Sequence, residues 1–244
     1  MNESLLREIN QQASTEQAKE AGTLTGEAMV RIRQLILDGE LEPNTRINEV
    51  QLCETFSLSR TPLRAALQTL AGEGLLIYAP NRGFTVREYK LSDIIDAYEM
   101  RCLAEGMAAR LAAARGVNET ELKKMEHALA CGDKLLEGGV AESVQQEGYA
   151  SVNTLFHGAV HRGAGTQLLA DVVAVCRIPQ VSARKIMPLT IEEITLRQEM
   201  HHKIFRAIIC REPERADALM QEHVREVKEK MVLALTMHHK GAAD

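Results

Sequence analysis

Histidines are concentrated in the second half of the sequence, where seven of the eight lie beyond residue 150. A helix would carry His157 and His161 on one face because they are four residues apart, and the remaining five are His201, His202, His223, His238 and His239. Neutral imidazoles are ligands for zinc and nickel, and three of them with an oxygen ligand would make a site if separate helices brought them together. Histidines with this spacing also occur on helix surfaces and in cores, so the pattern leaves a metal site and a structural role open.

A second set of residues, in the first half, has the chemistry to read DNA. In the segment SRTPLRAALQTLAGEG, Arg60, Arg64 and Gln68 recur every four residues and would share one face of a helix. The inward stripe of that helix would consist of Leu63, Ala66, Leu67 and Leu70. An arginine side chain can donate two hydrogen bonds to O6 and N7 of guanine in the major groove. An amphipathic helix with a solvated basic face has the same periodicity, so the spacing alone does not choose between the two interpretations.

The elements around this segment predict a winged helix-turn-helix. Apolar residues at helical spacing predict a first helix that ends near Asp38, and a short second helix runs to Phe56. Ser59 is placed to cap the third helix and Gly74 to end it. LLIYA and FTVRE then predict two strands, which the turn-forming and basic segment PNRG would join as a hairpin. Three helices followed by such a hairpin form a winged helix-turn-helix.

The rest of the sequence has helical periodicity. A long amphipathic segment follows Lys90, and Asn118 is placed to cap the next helix. Further helices are predicted over 119–137, 141–162, 165–186, 191–211 and 213–238. The predicted fold class is therefore mainly α, with an N-terminal winged helix-turn-helix followed by an all-helical antiparallel bundle. The predicted boundaries are a polar tail over 1–22, a winged-helix domain over 23–89 and a helical domain over 90–240.

Composition narrows the class of protein further. The chain has 244 residues with 45% hydrophobic and only 3% aromatic residues, which favours a soluble, largely helical globular protein. A net charge of −5 argues against coating nucleic acid through bulk charge, so a DNA site would have to be local. The five cysteines form no C-x-x-C pair, which indicates a reduced setting. Because the sequence has neither an apolar signal segment nor a run as long as a membrane span, we expect a cytoplasmic protein without a membrane partner.

The N-terminal motifs LEPNTRINE, SLSRTPLRAAL, EGLL and PNRGFTV resemble the DNA-binding domain of GntR-type transcription regulators over roughly residues 24–88. The resemblance implies a dimeric repressor or activator that binds an inverted-repeat operator in double-stranded DNA. It further implies that the third helix contacts bases through Arg60, Thr61 and Arg64, and that Arg82 and Gly83 of the hairpin tip enter the neighbouring minor groove. The chain departs from the usual pattern at Val50, where an arginine is common, and at Ala65, where a glutamate is common.

The C-terminal motifs NTLFH, HHKIFRAI and ADALMQEH resemble the FCD ligand domain of the FadR-like subgroup, over about residues 90–235. The resemblance implies a divalent metal, zinc or nickel, held by Asn153, His157, His201 and His223. It leaves His161 and His202 outside the ligand set. Asn153 stands where the family commonly has aspartate, so this ligand would coordinate through an uncharged amide oxygen.

The segment EMRCLAE also resembles a family pattern, in which an arginine on the first helix of the domain faces the cavity. The resemblance implies that Arg101 binds the carboxylate of an effector. An ion pair between Arg101 and Glu105, which lies four residues later, is the alternative role that the spacing allows.

These observations predict a homodimeric repressor whose helical domain binds a small organic acid at a divalent metal and alters operator binding, and predict that the protein is not an enzyme. A metal-dependent hydrolase is an alternative, because three histidines and an oxygen ligand also describe catalytic zinc. No H-E-x-x-H signature accompanies the histidines, and a hydrolase has no use for a basic winged helix. A metal-free regulator with a structural helical domain is the third hypothesis.

Overall fold

The computed structural model describes residues 22–37, 39–137, 140–181 and 189–241. Its helices are α1 (Leu24–Leu37), α2 (Glu49–Phe56), α3 (Arg60–Gly72), α4 (Leu91–Arg115), α5 (Glu119–Leu135), α6 (Glu142–Gly163), α7 (Gln167–Val181), α8 (Ile191–Ile209) and α9 (Pro213–Gly241). The strands are β1 (Leu76–Ala79) and β2 (Gly83–Val86). The predicted class, a winged helix-turn-helix followed by a helical domain, is confirmed. Of the predicted tail over 1–22, residues 1–21 lie outside the described residues.

The described residues divide into two compact units, with the division at Ile94 in the first turn of α4. The first unit buries one apolar cluster that draws on all three of its helices and on the hairpin. The inward stripe of α3 is fully buried, as its periodicity predicts, and consists of Leu63, Ala66, Leu67 and Leu70. α3 is therefore held by its apolar face, which leaves its polar face available to other molecules.

The hairpin pairs β1 and β2 in antiparallel register, from Leu76 opposite Val86 to Ala79 opposite Gly83. A backbone segment before α2 adds to the sheet through the bridge between Arg46 and Thr85. This pairing anchors the base of the hairpin and leaves Pro80, Asn81 and Arg82 at the tip, between the paired strands.

Local backbone signals set the turn between α2 and α3. The Asn48 side chain caps α2 by accepting a hydrogen bond from the Gln51 amide, and Ser57 ends α2 in the left-handed conformation. Ser59 occupies the N-cap position of α3 with extended backbone, but its side chain makes no capping hydrogen bond. The position of the cap is thus as predicted, although the predicted side-chain contact is not made.

The second unit contains the helices from α4 to α9. The Asn118 side chain caps α5, as predicted, and Thr190 and Glu193 form a capping box at the start of α8. α5 packs against α6, and α8 contacts α5, α6 and α9. α8 therefore brings side chains from three neighbouring helices within reach of its own. Among the described residues, no helix combines the length and apolar character needed to cross a bilayer.

Candidate metal centre and nucleic-acid interface

Three buried histidines converge in the second unit from three different helices. They are His157 of α6, His201 of α8 and His223 of α9, each at most 2% exposed. Nε2 of His223 lies 3.3 Å from Nε2 of His157 and 3.3 Å from Nε2 of His201. The structure thus brings together the three histidines that the sequence predicted as ligands.

The Nε2 nitrogens of the three rings lie close to one another. Nδ1 of His157 lies 2.9 Å from the Glu105 carboxylate, so Nδ1 carries a proton, and Nε2 presents a lone pair when the ring is neutral. Nδ1 of His201 and of His223 is buried without a hydrogen-bond partner in the described structure. Two nitrogen ligands of a tetrahedral zinc ion, each about 2.0–2.1 Å from the metal, lie about 3.3–3.4 Å apart. The observed 3.3 Å separations therefore match the spacing that one cation would require.

The electrostatic environment favours the neutral form of His201 and His223. Burial lowers the pKa of His201 well below its usual value, and the neighbouring His223 and His157 lower it further. Burial has the same effect on the pKa of His223, followed by the charges of His157 and Arg101. The ring of Phe156 stacks on His201 with centroids 4.4 Å apart and contributes to the dry surroundings. A neutral imidazole is the form that binds a metal ion.

Glu105 lies at one edge of the three-histidine cluster and contacts three side chains there. Its Oε2 accepts hydrogen bonds from Nδ1 of His157 at 2.9 Å and from Nε2 of His161 at 2.7 Å, and its Oε1 accepts from Nε of Arg101 at 3.1 Å. Burial alone would raise the pKa of Glu105, but the charges and hydrogen bonds of His157 and His161 outweigh it and hold this pKa well below its usual value. A carboxylate bound to the far nitrogen of a ligating histidine is a recurrent way to orient metal ligands.

The sequence prediction left His161 outside the ligand set and gave Glu105 only an ion-pair role. Glu105, His157 and His161 also form a second group of potential ligand atoms in the described structure. The spacing of four residues between Arg101 and Glu105, and again between His157 and His161, was the available signal. It could not show that the two helices face each other.

Arg101 makes the ion pair with Glu105 that its spacing allowed, and it is 7% exposed. The alternative, a contact with an effector carboxylate, stays a prediction. Asn153 is half-buried on α6, one turn before His157, and its role as fourth ligand is likewise a prediction. His202 is exposed and lies 2.8 Å from Asp133, away from the buried cluster.

In the first unit, the polar face of α3 is open to solvent. The exposed residues include all four that the sequence predicted on this helix for DNA contact: Arg60, Thr61, Arg64 and Gln68. Nε of Arg64 lies 3.2 Å from the Glu49 carboxylate of α2. Val50, where the resemblance led us to expect an arginine, is 51% exposed and offers no charge to a phosphate.

The hairpin tip presents a basic side chain next to a glycine. Arg82 is exposed, and Gly83 begins β2 with φ of 78°, a conformation that disfavours other residues. Asn81 also has positive φ, so the turn is tight. The tip can therefore bring backbone and a guanidinium close to a narrow groove.

Comparisons with known proteins follow the same division of the chain. Residues 24–86 match the family model described as bacterial regulatory proteins, gntR family, and residues 96–226 match the FCD domain. The Nta operon transcriptional regulator of Aminobacter aminovorans is 43% identical over 77 residues, which cover 32% of this chain and only 37% of that protein. A probable D-xylose utilization operon transcriptional repressor of Paenarthrobacter nicotinovorans is 28% identical over 211 residues, 86% of this chain and 87% of that one.

A solved structure of Escherichia coli McbR/YncC has the same fold. It superposes with a TM-score of 0.70 at 21% identity, covering 88% of this chain and 99% of that chain.

Proposed function

Because the chain belongs to the GntR family of bacterial regulatory proteins and carries an FCD domain, we propose that it is a ligand-responsive repressor of transcription. In this proposal residues 23–89 bind operator DNA, and residues 90–240 bind the effector and form the homodimer. Relatives that are named as repressors support the direction of regulation.

The exposed polar face of α3 is the main support for DNA binding, because the opposite face of the helix is buried in the core. Arg60 and Arg64 lie in the first two turns, which is the part of a recognition helix that contacts base edges. Arg64 and Glu49 form an exposed ion pair, which costs little to exchange for a guanine. Arg82 at the hairpin tip adds a contact to phosphate or the minor groove.

The three-histidine cluster supports a divalent metal as cofactor, zinc or nickel. His157, His201 and His223 would hold it, Asn153 would be the uncharged fourth ligand, and Glu105 orients His157 through the Nδ1 hydrogen bond. Bound there, the metal would supply a Lewis-acid position for a carboxylate oxygen of a small organic acid. We propose that Arg101, in contact with Glu105, contributes positive charge to the same site.

The hydrolase alternative has less support. Glu105, the buried carboxylate that contacts the histidines, already accepts hydrogen bonds from Arg101, His157 and His161. It is therefore engaged as an orienting group and is poorly placed to activate a water molecule.

An exposed apolar stripe on α4 supports the dimer. Met100, Leu103 and Met107 are 58%, 65% and 43% exposed, and their spacing puts them on one face of the helix. Such a contiguous apolar face marks an interface, and two-fold pairing of α4 would present two copies of α3 to DNA.

Selection of binding sites from random double-stranded DNA tests the proposed function. We expect the purified protein to enrich an inverted repeat, because a two-fold dimer places equivalent recognition helices on two half-sites. Failure to enrich any sequence at moderate salt would contradict the proposal, and enrichment of a single unrepeated half-site would contradict the dimer.

A further inference from the structure

Two polar groups next to the histidine cluster are buried without hydrogen-bond partners in the described structure: Nη2 of Arg197 and the hydroxyl of Tyr149. Arg197 lies on α8 one turn before His201, so both side chains leave the same face of the helix. The ring of Tyr149 stacks on His201 with centroids 6.2 Å apart and an interplanar angle of 12°. Both groups therefore border the cluster from the α6 and α8 side.

The charge of Arg197 is only partly compensated by its neighbours. Burial lowers the pKa of Arg197, and the nearby Tyr149 and Glu193 raise it only in part. Glu193 already accepts from Nζ of Lys230 at 2.9 Å and from the Thr190 amide at 3.0 Å. Arginine nevertheless stays protonated in proteins, so Nη2 of Arg197 is a buried charged donor that makes no hydrogen bond with any described residue.

A buried donor without an acceptor destabilises the folded protein unless a bound ligand accepts its hydrogen bond. Two donors, one charged and one a hydroxyl, together suit an anionic oxygen. A carboxylate offers several lone pairs in one plane and can accept from both at once.

We propose that Arg197 and Tyr149 form a second anion subsite beside the three histidines, and that the effector is a small dicarboxylate. One carboxylate binds at the histidine centre, and the other accepts hydrogen bonds from Nη2 of Arg197 and the hydroxyl of Tyr149. This inference rests on the metal site proposed above, because a divalent ion held by neutral imidazoles next to Arg197 leaves an excess of positive charge. A dianion balances that charge better than a monocarboxylate does.

Calorimetric titration of the full-length, zinc-loaded protein tests this subsite, with acetate, malonate, succinate and glutarate as probes. In R197Q we expect affinity for the tightest dicarboxylate to fall about tenfold or more, and in Y149F about fivefold, because each loses a hydrogen bond to a charged group. The affinity of acetate should stay within about twofold of that of the parent, since one carboxylate needs only the histidine centre. R206Q, which changes an exposed arginine on the same helix, is the matched control.

The other outcomes overturn the inference. Parent-like dicarboxylate binding by R197Q, equal losses for acetate and dicarboxylates, or no binding of any dicarboxylate to the parent would each exclude a second carboxylate subsite. If R197Q does not fold, R197K takes its place in the titrations. R197K keeps the charge without the planar guanidinium, so it should lose part of the dicarboxylate affinity.

Zinc content, measured by mass spectrometry in every variant, separates this inference from the proposed metal site. If the parent holds no zinc but its dicarboxylate binding is lost in R197Q, the metal proposal fails and the Arg197 subsite stands. If zinc is held equally by the parent and R197Q and dicarboxylate binding is also equal, the subsite fails and the metal proposal stands.

Discussion

The hydrogen bond between His157 and Glu105 determines what the opposite nitrogen of that imidazole can do. Because Nδ1 donates to Glu105, Nε2 is the His157 nitrogen left to bind a cation, and it lies beside Nε2 of His223, which in turn lies beside Nε2 of His201. The convergence of the three histidines could be predicted because the motifs that carry them resemble those of the FCD domain, whereas their spacing alone left their role open. The roles of Glu105, His161 and Arg197 could not, since they depend on how α4, α6 and α8 pack, and no local spacing encodes that packing.

The contacts of Glu105 predict that it and His161 tune metal affinity without being the main ligands. Glu105→Gln and His161→Ala should each weaken zinc binding about 10–100-fold, because loss of a partner in the hydrogen-bonded shell lets His157 reorient. Competition with a chromophoric chelator measures this change, with His202→Ala as the exposed control. The resemblance leaves His161 outside the ligand set, so a parent-like zinc affinity of His161→Ala would mean that His161 has no part in the metal site.

The buried imidazoles also predict a pH dependence of stability for the metal-free protein. Burial lowers the pKa of His201 and His223 well below the usual value, whereas the unfolded chain takes up these protons near pH 6.5, at about the ordinary value. Below this pH the unfolded state binds more protons, so the stability contribution that is complete above about pH 6.5 is lost as pH falls.

Urea unfolding of the metal-free protein at pH 7.5, 6.5 and 5.5 measures this dependence. The free energy of unfolding should fall between pH 6.5 and 5.5, and the fall should be smaller in His223→Gln. Equal slopes in the two proteins would show that other groups cause the dependence.

At the scale of elements, the winged helix was predictable because its signals are local. Each signal lies within a short stretch of sequence: the apolar stripe of α3, the turn before α3 and the PNRG segment of the hairpin. The strands form where two apolar runs flank PNRG. The helix ends in the second unit were predicted close to where they are observed, as for α8, predicted over 191–211 and observed over Ile191–Ile209. The helix predicted over 165–186 is observed as α7 over Gln167–Val181, and residues 182–186 lie outside the described residues.

The exposed face of α3 predicts a large effect of one arginine on specific DNA binding. Arg64→Ala should weaken binding to the selected inverted repeat by about 1–3 kcal/mol per half-site, because a bidentate contact to guanine is lost. Fluorescence anisotropy at fixed salt measures the change. Arg33→Ala removes the same charge from α1, where Arg33 pairs with Glu73, and should leave affinity near that of the parent. Similar losses in both variants would mean that charge alone, and not base contact, explains binding.

At the scale of the molecule, the α4 stripe predicts how two chains associate. Leu103→Glu should shift the protein from dimer to monomer in sedimentation velocity and weaken operator binding, because a charge would be buried at the centre of the interface. Leu196→Glu, which changes an exposed leucine of α8, is the control and should stay dimeric. A dimeric Leu103→Glu protein with parent-like DNA affinity would place the interface elsewhere.

We propose that an acid bound at the histidine centre changes the affinity of the protein for its operator. A ligand can do this only if it binds two states of the protein unequally, and typical couplings between such sites are about 5–150-fold. Operator dissociation constants of the zinc-loaded protein, measured with and without each of a set of mono- and dicarboxylates of two to six carbons, test this claim most directly. We predict that at least one acid changes the constant about fivefold or more in the parent and in His202→Ala, but not in His201→Ala. No response to any acid, or an equal response in His201→Ala, would contradict it.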